Sequence, residues 1–199
     1  MAKGLESPRL DPYVRTMVGK GRGTVLAVRS VDPVLSVVGP LGLAASVGTA
    51  LVVDISGDLQ IGHGRTLADI DVDGPSLEEL SPGRSGVAVI GSGPIEAGRA
   101  AELIADLGSR WPALVVRVNG TAWDGPTVPL VPLYPGWLAA SNDAASVWQP
   151  IGSSSKPSGP GPVLPILKAG LVRRLLNGQL PPRSRWIRAW SPVWDMPWA

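Results

Sequence analysis

The sequence predicts an α/β domain built on a mostly parallel sheet flanked by helices. Three observations carry that expectation. Four short runs, GTVLAVRS (23 to 30), TALVVDIS (49 to 56), GVAVIGSG (86 to 93) and ALVVRVNG (113 to 120), are almost continuously apolar, as strands covered on both faces must be. Helical patterns fall between them, and alternation of strand and helix is what parallel βαβ units require. One of these helices, PIEAGRAAELIADLGSRW (94 to 111), sets Ala97, Ala100, Ala101, Ile104, Leu107 and Trp111 as one apolar stripe opposite Glu96, Arg99, Glu102, Asp106 and Arg110.

Taken in order, residues 1 to 22 are polar, with Lys3, Arg9, Arg15, Lys20 and Arg22 among Pro and Gly, and read as a basic arm ahead of the domain. The domain itself spans 23 to 150. After the first strand, the Ala/Leu-rich segment from Val34 to Gly48 reads as a helix that Pro40 either kinks or starts, because proline lacks the amide and clashes with the preceding turn. TLADIDVDGPSLEELSPGRSG, between the second and third strands, reads as a loop whose alternating Asp69, Asp71 and Asp73 face solvent. TVPLVPLYPG (127 to 136) reads as a weaker fifth strand, moved to an edge by its prolines. Residues 151 to 162, which contain GSSSKPSGPGP, read as a linker. VLPILKAGLVRRLLNGQL (163 to 180) reads as a last amphipathic helix, with Leu164, Leu167, Leu171 and Leu175 on one side and Asn177-Gly178 as its stop. The remainder to residue 199 is an irregular tail rich in Trp and Arg.

Composition narrows the function classes. No apolar run reaches the roughly 18 to 20 residues that a membrane-spanning helix needs. The first residues lack the apolar core of a signal peptide and the chain has no cysteine, so the expected location is the cytoplasm. Arg outnumbers Lys 14 to 4, and Gly and Pro make 46 of 199 residues, a bias typical of GC-rich bacterial genomes. The net charge of +2 conceals a division: residues 1 to 155 hold 11 basic and 15 acidic side chains, while residues 156 to 199 hold seven basic side chains and only Asp195 against them.

The order strand, loop, helix, strand ending in Asp is where a nucleotide-binding protein places a phosphate loop. Such a loop needs glycine amides around the phosphates, a Lys for the β and γ phosphates and a Ser or Thr for magnesium. After VLAVRS the chain offers VDPVLSVVGPLGLAAS, with no lysine, and GKGRGT at 19 to 24 precedes the strand and points the wrong way. His63 is the lone histidine and, without Cys or a second His, has no metal partner set. No nucleophile has a plausible base. Neither a catalytic set, a metal site nor a cofactor is expected.

ALVVDISGDLQIGHGRTLADI (50 to 70) and SPGRSGVAVIGSGPIEAGRAAELIADLGSRWPALVVRVNG (81 to 120) together resemble the ParA/MinD family of deviant P-loop ATPases, in the branch found in pilus-assembly and septum-site proteins. The likeness covers about residues 23 to 120 and implies a P-loop NTPase fold. That branch reads as a strand, D-x-D, a Gln/Gly/Asp loop and T-L-A-D. Here Asp54 keeps the first carboxylate, Ser56 stands in the second place, and Arg117 stands where the fourth strand of the family ends in a magnesium-orienting aspartate. The lysine and the metal-holding hydroxyl are missing too. Phosphoryl transfer is almost wholly positioning and charge stabilisation, so these losses imply a pseudo-ATPase, with Asp54, Ser56 and Arg117 as remnants of its site. On the residues alone, Asp54 is also a turn former and Arg117 a structural partner for Asp54 or Asp58, or an anion ligand.

RWIRAWSPVWDMPWA (185 to 199) sets Trp186, Trp190, Trp194 and Trp198 four residues apart. Pro192 and Pro197 forbid one helix through all four, so only Trp186 and Trp190 share a helical face. Two readings remain. The tail wraps back and completes the domain's own core, or the indoles, with Arg185 and Arg188, anchor in a protein groove or at a membrane interface. The MinD branch binds membrane through a C-terminal amphipathic helix, which 163 to 180 resembles. The partners expected are therefore a protein, such as an active ATPase of pilus assembly, secretion or septum placement, or a second copy, with a membrane surface as the alternative through 163 to 199. The scattered basic residues form no continuous stripe for nucleic acid.

Overall fold

The computed structural model describes residues 24 to 57, 64 to 76, 79, 86 to 120, 122 to 136, 144 to 152, 157 to 181 and 183 to 198. The basic arm, Asp58, His63 and residues 153 to 156 of the expected linker lie outside them. The elements run β1 (Thr24–Arg29), α1 (Pro33–Ala45), β2 (Thr49–Asp54), α2 (Leu67–Asp73), β3 (Gly86–Gly91), α3 (Ala97–Arg110), β4 (Ala113–Val118), β5 (Thr127–Leu133), β6 (Val147–Pro150), α4 (Ala169–Leu176), α5 (Arg185–Arg188) and a 3-10 segment, Ser191–Asp195. Six strands in the order β3-β2-β4-β1-β5-β6 form one sheet, and every pairing is parallel. The expected α/β class is the class observed.

Strand pleating divides the core in two. Leu26, Val28, Ala50, Val52, Ala113 and Val115 face α1 and the C-terminal segment. Ala27, Leu51, Val53, Leu114, Val116 and Val118 face α2 and α3. Because β4 lies between β1 and β2, its residues 113 to 118 are all buried.

α1 is buried on every side from Leu35 to Ala44. A helix that is apolar all round needs cover on both flanks. One flank is the sheet, and the other is α4, α5 and the tryptophans of the tail. Glycines admit both layers: a Cβ on Gly39 would meet Leu130 Cδ2 at 2.5 Å, and one on Gly42 would meet the Trp186 ring at 2.3 Å and Trp190 Nε1 at 2.7 Å. α1 starts at Pro33 and passes unbroken through Pro40.

Other expectations change as well. The stretch read as a loop contains α2, closed by a capping box in which the Thr66 hydroxyl accepts from the Asp69 amide while the Asp69 carboxylate accepts from the Thr66 amide at 2.7 Å. Leu67 and Ile70 point inward, and Asp69, Asp71 and Asp73 are exposed. β5 is interior rather than an edge. Its first residues, 127 to 129, pair with β1 and its last, 130 to 133, with β6, so Pro129 and Pro132 sit in a strand that changes partner half-way. β6 itself follows the expected strands as a short addition.

The C-terminal region differs too. Residues 160 to 164 run along β6, with Ser146 N donating to Pro160 O at 3.0 Å, Trp148 N to Pro162 O at 2.9 Å and Leu164 N to Trp148 O at 2.8 Å. Gly161 is required there, since its φ is +126° and a Cβ would lie 1.8 Å from the Ser146 carbonyl oxygen. The last long helix is shorter than its pattern: it begins only at Ala169, after an extended Lys168.

Candidate functional site

In an open parallel sheet the loops at the carboxyl ends of the strands are where ligands bind, and a helix that begins there offers its first amides to an anion. At the top of β1 those amides belong to α1. Asp32 caps them: its Oδ1 accepts from the Val34 and Leu35 amides, both at 2.9 Å. Its Oδ2 accepts from the Tyr134 hydroxyl, which arrives from the end of β5 at 2.5 Å. That hydrogen bond to a carboxylate, helped by burial and by the carboxylate's charge, raises the Tyr134 pKa above its ordinary value. A negative group of the chain's own thus stands at the end of α1 that a phosphate would use.

Beside it, β2 and β4 bring Asp54 and Arg117 into direct register. Arg117 is 0% exposed and Asp54 2%. The guanidinium Nη1 donates to Asp54 Oδ1 at 2.9 Å and Oδ2 at 3.1 Å, and also to the Ser56 hydroxyl. Nε donates to the Ser36 carbonyl oxygen at 2.9 Å and Nη2 to the Ser36 hydroxyl at 3.2 Å. Asp54 Oδ1 in addition accepts from the Ser56 amide at 3.1 Å and hydroxyl at 2.5 Å, an Asx turn that ends β2. The three residues that the sequence marks as site remnants therefore meet, and what they build is a buried, hydrogen-bonded ion pair under the first turn of α1. With no exposed surface, the guanidinium presents nothing to a solvent anion. Arg117 pairs with Asp54, the structural partner that the residues alone left open.

Pro40 explains one of these bonds. In a helix the amide of residue 40 would donate to the carbonyl of residue 36, and proline has no amide. Arg117 Nε supplies the donor instead, from the strand beneath the helix. Neither the proline nor the arginine suggests this by itself in the sequence.

The tail tryptophans lie against their own domain. Trp186 and Trp190 are 2% and 0% exposed, with ring centroids 5.6 Å apart at 77°. Trp186 Nε1 donates to the buried Gln149 Oε1 at 2.6 Å, a partner the sequence reading passed over. Trp194 Nε1 donates to the Leu43 carbonyl at 3.2 Å and the Ser46 hydroxyl at 3.1 Å, which caps the C-terminal end of α1. Trp198 is half-buried and donates to Val193 O at 2.7 Å. Of the six residues marked for a partner, Arg185 and Arg188 are exposed, while Trp186 and Trp190 present no surface.

Comparison with protein-family models, with curated proteins and with solved structures finds no match to this chain. The functional reading is therefore carried by geometry.

On the other face of the sheet, at the carboxyl ends of β2, β3 and β4, lies a cleft of about 390 Å³. Ile55, Ile95, Ala97, Ala101, Ile104 and Trp123 line it, together with Ser92 and Asp124. Its size falls within the range of small-molecule sites, and its lining is mostly apolar. Among the described residues there is no group of three metal-ligating side chains, and no helix is long and apolar enough to cross a membrane.

Proposed function

We propose that this chain is a ParA/MinD-like pseudo-ATPase that acts by binding, as a positioning or regulatory component of a cytoplasmic system such as pilus assembly, secretion or septum placement. The observation that supports the reading best is the state of the α1 end. The Asp32 carboxylate occupies the amides that would hold a phosphate, and the cation next to it, Arg117, is enclosed with Asp54. A triphosphate entering there would meet a fixed negative charge, and the guanidinium beneath it is already enclosed. Electrostatic stabilisation of a transferring phosphoryl group needs the opposite arrangement.

Titration calorimetry with magnesium ATP tests this directly. No saturable heat is expected. Saturable binding, or turnover that disappears in Asp54→Ala, overturns the reading.

A second reading has an observation of its own. Ile166 and Leu176 are each 55% exposed and lie among the exposed Lys168, Arg173 and Arg174. Apolar groups among cations suit an anionic membrane surface, where each basic residue contributes roughly 1 kcal/mol. Flotation with liposomes rich in anionic lipid, comparing the full chain with Leu176→Ser/Arg173→Glu, separates this from protein docking.

A further inference from the structure

The two faces of the molecule carry opposite charge. α4 and α5, which pack over α1, expose Lys168, Arg173, Arg174, Arg185 and Arg188, and none of these forms an ion pair among the described residues. Leu176 stands among them, one helical turn from Arg173. Across the sheet, the exposed Asp124 helps line the apolar cleft beside α3, and the exposed Glu96 stands in the chain between two further lining residues, Ile95 and Ala97. Glu96 precedes α3 without making a cap hydrogen bond, and its Oε1 would lie 3.8 Å from a Cβ on Gly98, a residue that lines the cleft. Arg99, the nearby cation, is tied to Asp71 and Glu102 at 2.6 Å each.

We propose that the α4 surface of one copy docks into the α3 cleft of a second copy. Leu176 enters the apolar cleft, and Arg173 and Arg174 meet Glu96 and Asp124 at its rim. Charge complementarity selects this occupant, because the chain itself carries both halves: an apolar side chain among cations, and an apolar hollow with two exposed carboxylates beside it. Since the two surfaces lie on opposite faces of one molecule, the contact is heterologous and each copy keeps one surface of each kind available. Such contacts produce chains of copies or closed rings, not a single two-fold dimer. The inference does not depend on the nucleotide reading, and nucleotide plays no part in its test.

Sedimentation velocity of the full chain across a concentration series, at about 0.05 M and about 0.5 M salt, separates the outcomes, because screening shortens several-fold over that range. At low salt the average mass is expected to rise with concentration to at least twice the 20.7 kDa of one chain and to return to one chain at high salt. Arg173→Glu/Arg174→Glu is expected to remain a single chain at low salt. Adding Glu96→Arg/Asp124→Arg to it restores assembly by reversing both halves. A single-chain mass for the unaltered protein at low salt overturns the proposal. So does assembly that survives Arg173→Glu/Arg174→Glu, or a four-fold charge reversal that fails to recover it.

Discussion

Pro40 and Arg117 are joined through one carbonyl group: the Ser36 oxygen that Pro40 leaves without a helical donor accepts the Arg117 Nε–H at 2.9 Å. The buried arginine is therefore part of the helix's hydrogen bonding as well as half of an ion pair. Removing it leaves Asp54 as an unpaired buried charge and Ser36 as an orphaned acceptor. Arg117→Ala is expected to cost about 3 to 5 kcal/mol, the usual penalty for breaking a buried pair. In a Pro40→Ala background the restored amide takes up Ser36, so the same replacement should cost about 1 kcal/mol less, a coupling readable in a double-mutant cycle by urea unfolding. Equal costs in both backgrounds would show that the carbonyl contact contributes nothing.

Gly42 gives a second test, because its hydrogen atom is all that separates α1 from two indole rings. Gly42→Ala forces the Trp186 and Trp190 rings apart and should destabilise by about 1 to 3 kcal/mol despite alanine's better helix propensity. Gly170, in α4, has nothing within 4 Å of an added Cβ. Gly170→Ala should be neutral or stabilising by up to about 1 kcal/mol. Thermal unfolding of the two variants side by side checks the contrast.

How far the fold could be read from the sequence depended on what each segment packs against. Strands β1 to β4 were legible because burial on both faces makes them continuously apolar. α3 was legible because one polar flank makes its periodicity plain. α2 was missed: seven residues with three aspartates read as solvated loop, although the Thr66 to Asp69 capping pair was the available signal. β5 was misplaced because prolines argue for an edge, and only the change of partner at its middle admits them. At the site, Asp54, Ser56 and Arg117 could be named from their positions in the resemblance. Their mutual bonding, and the dependence of Arg117 on Pro40, join residues far apart in sequence and leave no local pattern. The tail left two readings open for the same reason, since a tryptophan suits a partner's groove as well as its own domain's, and it is residues distant in sequence, Gly42, Leu43, Ser46 and Gln149, that decide between them.

Removal of the tail follows from that packing. A chain ending at Leu180 lacks Trp186, Ile187, Trp190 and Val193, all buried against α1, and opens a helix that has no polar flank. Truncating one large buried aromatic typically costs about 3 to 5 kcal/mol, and marginal stability leaves little to absorb several such losses. Loss of a cooperative unfolding transition is expected, together with binding of a dye that reports exposed apolar surface. A shortened chain that unfolds cooperatively at the same midpoint would mean that the tail only rests on the domain. The single replacement Trp186→Phe is milder. It leaves Gln149 Oε1 without the indole donor and should cost about 1 to 3 kcal/mol.

The cap at α1 makes a pH-dependent prediction. Tyr134 donates to the Asp32 carboxylate, and its pKa is raised in the folded chain mainly by that bond. A group whose folded pKa is raised favours folding fully below its unfolded pKa, and the contribution disappears as pH rises through the folded value. The stabilisation from this contact should therefore be intact at neutral pH and lost on the alkaline side, above the range in which an unfolded tyrosine ionises. The chain has two tyrosines, so a Tyr13→Phe background isolates Tyr134 in an absorbance titration of the phenolate. There, Asp32→Asn should bring its titration back towards the ordinary tyrosine range, because the amide removes the charge while keeping an acceptor. Tyr134→Phe should flatten the alkaline decline in stability. If the titration of Tyr134 is the same with Asp32 and with Asn at that position, the phenol is not held by the carboxylate that caps α1.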